Sequence, residues 1–274
     1  MPTLRTNGAV VAFSDSGAPG GSADAPTIVF GHGLLFSGWM FAAQIEALRS
    51  TYRCVAIDWR GQGASPPAED GQYDMDTLTD DAVAVIDHLG VAPVHWVGLS
   101  MGGFVGQRLA ARRPELVRSL TLIDTSPDAE EPFAAVQDKV LSAIYRVVGI
   151  APVRRSVVKI MLGPTFRGDA RSKPVIDEWM RQIAQTDRGG LIGAITAVAD
   201  RLPVAAEIGS ITAPTLVICG ADDKPTPVRK AEAITAGIAG ARLEIVQGAG
   251  HSSTIEQPEV LTGLIQRFLA DLPQ

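Results

Sequence analysis

The sequence predicts an α/β fold with a mostly parallel eight-stranded sheet, helices on both faces and a helical cap inserted after the sixth strand. Three observations predict it. Short apolar segments rich in valine and isoleucine alternate with segments at helical spacing. Most of the strand-like segments are apolar throughout, which is typical of parallel strands covered on both faces. Residues 127–202 break this alternation, because they show helical patterns and no strand pattern.

The elements follow one another in a regular order. The first two strands flank Asn7-Gly8, which favours a hairpin with a tight turn. The predicted strands are Leu4–Thr6, Ala9–Ser14, Thr27–Phe30, Arg53–Ile57, Val94–Leu99, Val117–Ile123, Thr215–Cys219 and Leu243–Val246. The helices predicted between and after them are Trp39–Leu48, Leu78–Leu89, Gly103–Arg113, Val228–Ala239 and Glu259–Leu269.

The domain organisation follows from this order. The chain has 274 residues and is 46% hydrophobic, enough for a sizeable core. We expect residues 1–126 and 203–274 to form the core domain and residues 127–202 to form the cap. Ligands of such sheets bind at the carboxyl ends of strands, and the insertion leaves from one of them. This favours a lid over the site, although a helical excursion that packs elsewhere is the alternative.

Composition argues against several classes of partner. The net charge is −6 and no long basic run occurs, so neither nucleic acid nor an anionic membrane surface is an expected partner. The N-terminus lacks the apolar region of a signal peptide, and no apolar run reaches membrane-spanning length. Cys54 and Cys219 each fall in a predicted buried strand, which fits a reducing compartment. These features predict a cytoplasmic protein. No Cys/His cluster has metal-ligand spacing, so we expect neither a metal nor a cofactor.

The segment Gly98-Leu99-Ser100-Met101-Gly102 carries the strongest chemical signal. It places a serine between two glycines, after a predicted strand and before a predicted helix. This context is typical of a nucleophile elbow, a turn too tight for flanking side chains. The helix N-terminus behind it favours developing negative charge. The alternative is an ordinary strand-to-helix turn, since Gly-x-Ser-x-Gly is a common pattern.

A serine hydroxyl needs a base, and the base needs an orienting acid. Of the four histidines, His251 lies in a glycine-rich loop after the last predicted strand, at the same sheet edge as Ser100. His88 and His95 lie away from that edge and are expected to be structural. The acid is expected directly after the end of a strand that lies between Ser100 and His251 in the sequence. Asp223 is the first choice over its neighbour Asp222, and Asp124, after the sixth strand, is the alternative position.

Two backbone amides are expected to stabilise an oxyanion, those of Met101 and Leu34, with Leu35 as a less favoured second donor. His32, beside Leu34, is expected to hold this loop by hydrogen bonds. The loop Asp58–Ser65 is also rich in glycine, but it lacks the lysine and spacing of a phosphate loop. We expect it to be a structural turn in which Asp58 and Arg60 fix neighbouring loops.

The substrate pocket is expected to include apolar residues near the elbow. The candidates are Leu34, Leu35, Phe36, Trp39 and Met101, with Trp179 of the insertion closing the pocket. The competing interpretation is that they belong to the ordinary core. An apolar pocket favours small to medium, mostly uncharged substrates.

These motifs together resemble the α/β-hydrolase fold superfamily. The matching segments span nearly the whole chain in the expected order: Gly31-His32-Gly33, Asp58 to Ser65, Gly98 to Gly103, Ala213 to Pro227, and Gly250-His251 with Glu256-Gln257-Pro258. In that family the aspartate three residues before Thr-Pro is the acid, which supports Asp223. The resemblance is nearest to small esterases, 3-oxoadipate enol-lactonases and cofactor-free haloperoxidases or perhydrolases.

The expected function is therefore a serine hydrolase that cleaves carboxylic esters or lactones through an acyl-enzyme, without a cofactor. The alternative on the same triad is hydrolysis of a C–C bond in a β-diketone, or perhydrolysis. A non-catalytic small-molecule receptor on the same scaffold is a third hypothesis. The physiological substrate and the oligomeric state are left open.

Overall fold

A computed structural model of the protein describes residues 1–22 and 25–272. Its sheet has eight strands in the order β1-β2-β4-β3-β5-β6-β7-β8. The strands are β1 (Thr3–Thr6), β2 (Ala9–Asp15), β3 (Thr27–Gly31), β4 (Arg53–Asp58), β5 (Val94–Leu99), β6 (Val117–Ile123), β7 (Thr215–Gly220) and β8 (Arg242–Val246). β2 pairs antiparallel with β1 and β4, and the remaining neighbours are parallel. The predicted fold class is confirmed.

The parallel register aligns the carboxyl ends of the central strands. Gly31 of β3 pairs with Gly98 of β5, and Leu99 of β5 pairs with Ile123 of β6. Ile123 in turn pairs with Ile218 of β7. The loops that follow β3, β5, β6, β7 and β8 therefore leave the sheet along one edge, where the site must lie.

Helices cover both faces of the sheet. They are α1 (Ala42–Leu48), α2 (Met75–Leu89), α3 (Met101–Arg112), α9 (Val228–Gly237), α10 (Ser253–Glu256) and α11 (Pro258–Ala270). Side chains alternate along β3, so Val29 joins the core cluster with α2, α3 and α9, while Ile28 and Phe30 join the one with α1 and α11. Helix α2 begins three residues before the predicted start, because the carboxylate of Asp74 accepts hydrogen bonds from the amides of Asp76 and Thr77.

Between β6 and β7 the chain forms only helices. These are α4 (Pro132–Val148), α5 (Arg154–Met161), α6 (Pro164–Gly168), α7 (Ser172–Gln185) and α8 (Arg188–Ala199). They lie within residues 127–202, which we call the cap segment. Most of its buried apolar side chains, including Trp179 and Ile183, join the core cluster on the α1 and α11 face, and Val198 joins the other cluster.

Within residues 1–22 and 25–272, none of the helices combines the length and the apolar character that crossing a bilayer requires.

Candidate active site

The turn between β5 and α3 has an unusual backbone. Ser100 adopts φ 51° and ψ −108°, a conformation that side-chain-bearing residues rarely take. A Cβ atom at Gly98 would overlap the carbonyl of Gly102, and one at Gly102 would overlap the carbonyl of Gly31. Both glycines are therefore required by close backbone approach. The turn has the strained geometry of a nucleophile elbow and points Ser100 out of the sheet edge.

The structure brings together the three residues predicted to do chemistry. The Ser100 Oγ atom lies 2.9 Å from Nε2 of His251. The Nδ1 atom of His251 lies 3.0 Å from both carboxylate oxygens of Asp223. All three residues are buried, whereas Asp222 is exposed. The arrangement links a hydroxyl, an imidazole and a carboxylate in the order that proton transfer requires.

The hydrogen bonds determine which nitrogen of His251 carries the proton. A carboxylate only accepts, so Nδ1 donates to Asp223 and Nε2 is free to accept from the Ser100 hydroxyl. Burial alone would lower the pKa of His251. The negative charge and hydrogen bond of Asp223, with the charges of Asp124 and Glu256, raise that pKa above its ordinary value.

Thr226 holds the Asp223 carboxylate in place. Its amide donates to Oδ1 at 3.0 Å and its hydroxyl donates to Oδ2 at 2.7 Å. The same hydroxyl oxygen lies 3.3 Å from His251 Nδ1. The sequence interpretation gave Thr226 no role, although its spacing from Asp223 is that of a side chain capped by an amide three residues later.

Asp124, the alternative acid, occupies a different position. One oxygen accepts from the Gly220 amide at 2.8 Å, and the other accepts from the amide and hydroxyl of Ser253. Asp124 thereby connects the end of β7 to the loop that follows His251. Burial, followed by the charge of Asp223, raises the pKa of Asp124 to about 7.

The loop after β3 presents the second candidate oxyanion donor. Among the hydrogen bonds of the described residues, none uses the amide of Leu34 or that of Met101. The Leu35 amide, by contrast, donates to Oε1 of Gln62 at 2.9 Å. Leu34 and Met101 therefore offer free donors beside Ser100, and Leu35 does not.

His32 has hydrogen bonds of the kind expected from the sequence. Its Nε2 accepts from the Trp59 amide at 3.0 Å, so its Nδ1 donates to the Gly33 carbonyl at 2.7 Å. Burial lowers the pKa of this imidazole below its ordinary value, although Asp58 opposes the shift. His32 is thus a neutral residue that fixes the loop and is bonded at both nitrogens.

The Asp58–Ser65 loop supports this edge of the sheet. Asp58 accepts from the amides of Gly38 and Ala64, at 2.7 and 2.8 Å. The Arg60 guanidinium is fully buried and forms two 2.7 Å hydrogen bonds with Asp81. Both side chains contact protein groups in the way that a structural turn predicts.

A cavity of about 520 Å³ opens directly above Ser100 and His251. The cap segment supplies most of its wall, and that wall is largely apolar. Its cap residues include Leu141, Tyr145, Val157, Ile183, Leu191 and Ile195. The residues outside the cap segment that line it include Leu34, Leu35, Phe104 and Thr226.

Part of the predicted pocket needs correction. Leu34 and Leu35 line the cavity, but Phe36, Trp39, Trp179 and Met101 do not. Trp179 stacks on Phe36 with ring centroids 4.5 Å apart and donates its indole N–H to the Leu35 carbonyl at 2.8 Å. It is buried behind the wall and holds the loop that carries Leu35. Its indole thus packs within the core cluster and does not close the cavity.

Comparison with known proteins places this geometry in a family. Residues 26–258 match the family model described as the α/β-hydrolase fold. The chain therefore belongs to the α/β-hydrolase fold family, in the subgroup that resembles the enol-lactonases.

Several similar proteins match nearly the whole chain. The 3-oxoadipate enol-lactonase 2 of Acinetobacter baylyi is 29% identical over 249 residues, covering 91% of this chain and 90% of its own. The crystal structure of the enol-lactonase from Burkholderia xenovorans is 28% identical with a TM-score of 0.90, covering 98% of this chain and 100% of that one. A hydrolase structure from Pseudomonas aeruginosa is 32% identical with a TM-score of 0.87, covering 98% and 97%. These relatives support a hydrolase.

Proposed function

We propose that the protein is a serine hydrolase that cleaves carboxylic esters or lactones, with Ser100, His251 and Asp223 as its catalytic triad. The observation that carries the proposal is the continuous hydrogen-bond chain from Ser100 through His251 to Asp223 at the floor of an apolar cavity. The enol-lactonases among its relatives support the same class of bond.

The first step forms an acyl-enzyme. Ser100 Oγ attacks the carbonyl carbon while its proton passes to Nε2 of His251, and Asp223 stabilises the resulting imidazolium. Negative charge moves to the carbonyl oxygen, where the amides of Met101 and Leu34 donate hydrogen bonds. Each such donor contributes roughly 3 kcal/mol to transition-state stabilisation.

The tetrahedral intermediate formed by this attack then collapses to the acyl-enzyme, which water hydrolyses. The C–O bond to the leaving alkoxide breaks, and His251 returns its proton to that oxygen. In a lactone the leaving hydroxyl stays attached to the acyl group. A water molecule next attacks the acyl carbon while His251 accepts its proton, and Ser100 leaves with that proton as the carboxylic acid forms.

The cap segment is proposed to select the substrate. It provides the aliphatic residues of the wall, including Val157, Leu191 and Ile195, opposite the nucleophile. A wall of this kind favours small to medium substrates whose acyl or alcohol portion is mostly apolar. Residues 127–202 would act as a lid, since they supply most of the wall of the cavity that holds Ser100.

Substitution of the nucleophile tests the proposal. We expect Ser100→Ala to lower kcat for short-chain esters and lactones by at least about 10⁴-fold, because no hydroxyl remains to form the acyl-enzyme. A fluorophosphonate should label Ser100 in the native protein, as read by mass spectrometry of the modified peptide.

The control is Ser210→Ala, at an exposed serine outside the site, which should keep both labelling and turnover. Full hydrolysis of esters by the Ser100→Ala protein would sink the proposal. Including a β-diketone in the panel separates ester cleavage from C–C hydrolysis. Tight ligand binding without turnover of any substrate would indicate a receptor.

A further inference from the structure

Glu256, at the end of α10, is a buried carboxylate that the proposed chemistry does not use. Its Oε2 accepts from the Gly250 amide at 2.9 Å, and its Oε1 accepts from the Ser252 amide at 3.1 Å. These two amides flank His251 on either side. A single side chain therefore holds the backbone before and after the imidazole.

The third hydrogen bond of Glu256 comes from the cap segment. The amide of Gly163, between α5 and α6, donates to the same Oε2 at 2.9 Å. Burying a carboxylate costs free energy unless hydrogen bonds offset it, and here three amides from two separate segments do so. The His251 loop and the α5–α6 junction thus share one acceptor group.

The two segments also touch directly. A Cβ atom at Gly250 would overlap the backbone nitrogen of Gly163, and one at Gly163 would lie 2.7 Å from the Gly250 nitrogen. The Ser252 hydroxyl donates to the Met161 carbonyl at 2.9 Å. The junction therefore rests on the His251 loop at backbone distance, with no side chain between them.

We infer that Glu256 is a positioning residue that bonds the His251 loop to the α5–α6 junction. Through this contact, the packing of the cap segment against the loop aligns the imidazole with Ser100. The inference rests on the proposed function, since it concerns the base of that reaction. Serine and histidine must meet at hydrogen-bond distance for proton transfer, and a displacement of about 1 Å costs on the order of 10²-fold in rate. Contact between the cap and the loop therefore has a direct consequence for catalysis.

Charge provides a readout that separates positioning of His251 from general stability. The titratable groups whose charges raise the pKa of His251 are Asp223, Asp124 and Glu256. The titratable group whose charge affects the pKa of Glu256 is His251. A negative charge near an imidazole favours its protonated form. Removing the charge of Glu256 should therefore lower the pKa of His251 and move the acid limb of kcat/KM to lower pH.

The first experiment is Glu256→Gln in the 274-residue protein. We expect kcat to fall roughly 10- to 100-fold with KM changed less than about 3-fold, because glutamine replaces one accepting oxygen with an NH2 group that cannot accept from the amide it faces, while the cavity wall is kept. The acid limb should move down by on the order of half a pH unit. The control is Glu259→Gln, an exposed glutamate three residues away, which should alter neither quantity.

The second experiment approaches the same contact from the cap. Gly163→Ala keeps the Glu256 charge but inserts a methyl group against the Gly250 nitrogen and Oε2 of Glu256. We expect it to lower kcat roughly 10-fold and to leave the acid limb in place. Gly168→Ala, five residues on, is the matched control because a Cβ there meets nothing within 4 Å. This variant keeps the inference testable if Glu256→Gln folds poorly.

Near-native kcat and an unmoved acid limb in Glu256→Gln, with near-native kcat in Gly163→Ala, would overturn the inference. A fall in melting temperature alone, with kcat preserved in the folded fraction, would overturn it as well. These results differ from failure of the proposed function itself, in which Ser100→Ala would still hydrolyse esters.

Discussion

The carboxyl edge of the sheet and the cap segment form opposite sides of the same cavity, yet they are built differently. At the sheet edge, polar side chains such as His32, Asp58 and Asp124 are buried and bonded to specific amides. The cap segment presents mainly aliphatic groups. Its helix α4 lines the cavity with Leu141, while Phe133 on the same helix is 83% exposed.

This difference separates two kinds of constraint. The sheet edge depends on backbone geometry that few residue types permit, as the overlap of any Cβ at Gly98 or Gly102 with a carbonyl shows. The cap wall depends on side-chain size and polarity, which many residue combinations satisfy. We expect substitutions at the sheet edge to affect reaction rate or folding strongly, and substitutions in the cap wall to change which substrate is preferred.

The largest expected effect separates the two buried aspartates at the sheet edge. Asp223→Asn should lower kcat by about 10⁴-fold, because an amide at this position favours the wrong tautomer of His251. Asp124→Asn should cost less than about 10-fold, since Asp124 bonds to Gly220 and Ser253 and has no hydrogen bond to the imidazole. Steady-state hydrolysis of one ester by both variants measures the contrast. An equal loss of kcat in both variants would mean that Asp223 is not the only carboxylate that orients His251.

The next largest effect is on the free energy of unfolding, and it is measured by comparing substitutions of Gly102 and Gly168. Gly102→Ala should lower the free energy of unfolding by at least about 3 kcal/mol, because its methyl group has no space beside the Gly31 carbonyl. Gly168→Ala in the cap segment should lose nothing, since the space around it is open. Urea unfolding followed by circular dichroism compares them. Similar stability of the two variants would show that the elbow tolerates side chains.

The sheet edge was also the part of the molecule that the sequence predicted best. All eight strands lie where apolar, β-branched segments predict them, and Ser100, Asp223 and His251 follow the strand ends. Residues that leave adjacent parallel strands must meet at one edge, so their chain order is enough to bring them together. The family resemblance supported Asp223 through its spacing from Thr226-Pro227, and in the structure the amide and hydroxyl of Thr226 bind that carboxylate.

Pairwise packing could not be predicted in the same way. Trp179 has the size and polarity of a pocket residue, but its stacking on Phe36 removes it from the cavity. Glu256 lies far in sequence from Gly163, and no local pattern indicates that the two will bond. The cavity wall comes from one face of several amphipathic helices, and helical periodicity does not say which neighbour each face will meet.

A smaller effect should come from the cap wall. Ile195→Ala removes a half-buried side chain that lines the cavity and should change the ratio of kcat/KM between a long-chain and a short-chain ester roughly 10-fold. The change should favour the longer acyl chain, because the cavity gains volume, while kcat for the short ester stays within about 3-fold. Val147→Ala, at an exposed position on α4, is the matched control and should leave the ratio unchanged. A loss of kcat for every substrate would show that this wall also positions the catalytic groups.

The smallest effect concerns pH and depends on the sheet edge alone. His251 must be neutral to act as base, and its raised pKa should set an acid limb of kcat/KM above the ordinary histidine value. Asp124→Asn removes one of the charges that favour the imidazolium, so the limb should move to lower pH. Because the pKa of Asp124 is itself about 7, its charge is incomplete near neutrality, and the shift should stay under about half a unit. Ile195→Ala should leave the limb where it is, and an upward shift in Asp124→Asn would contradict this electrostatic account.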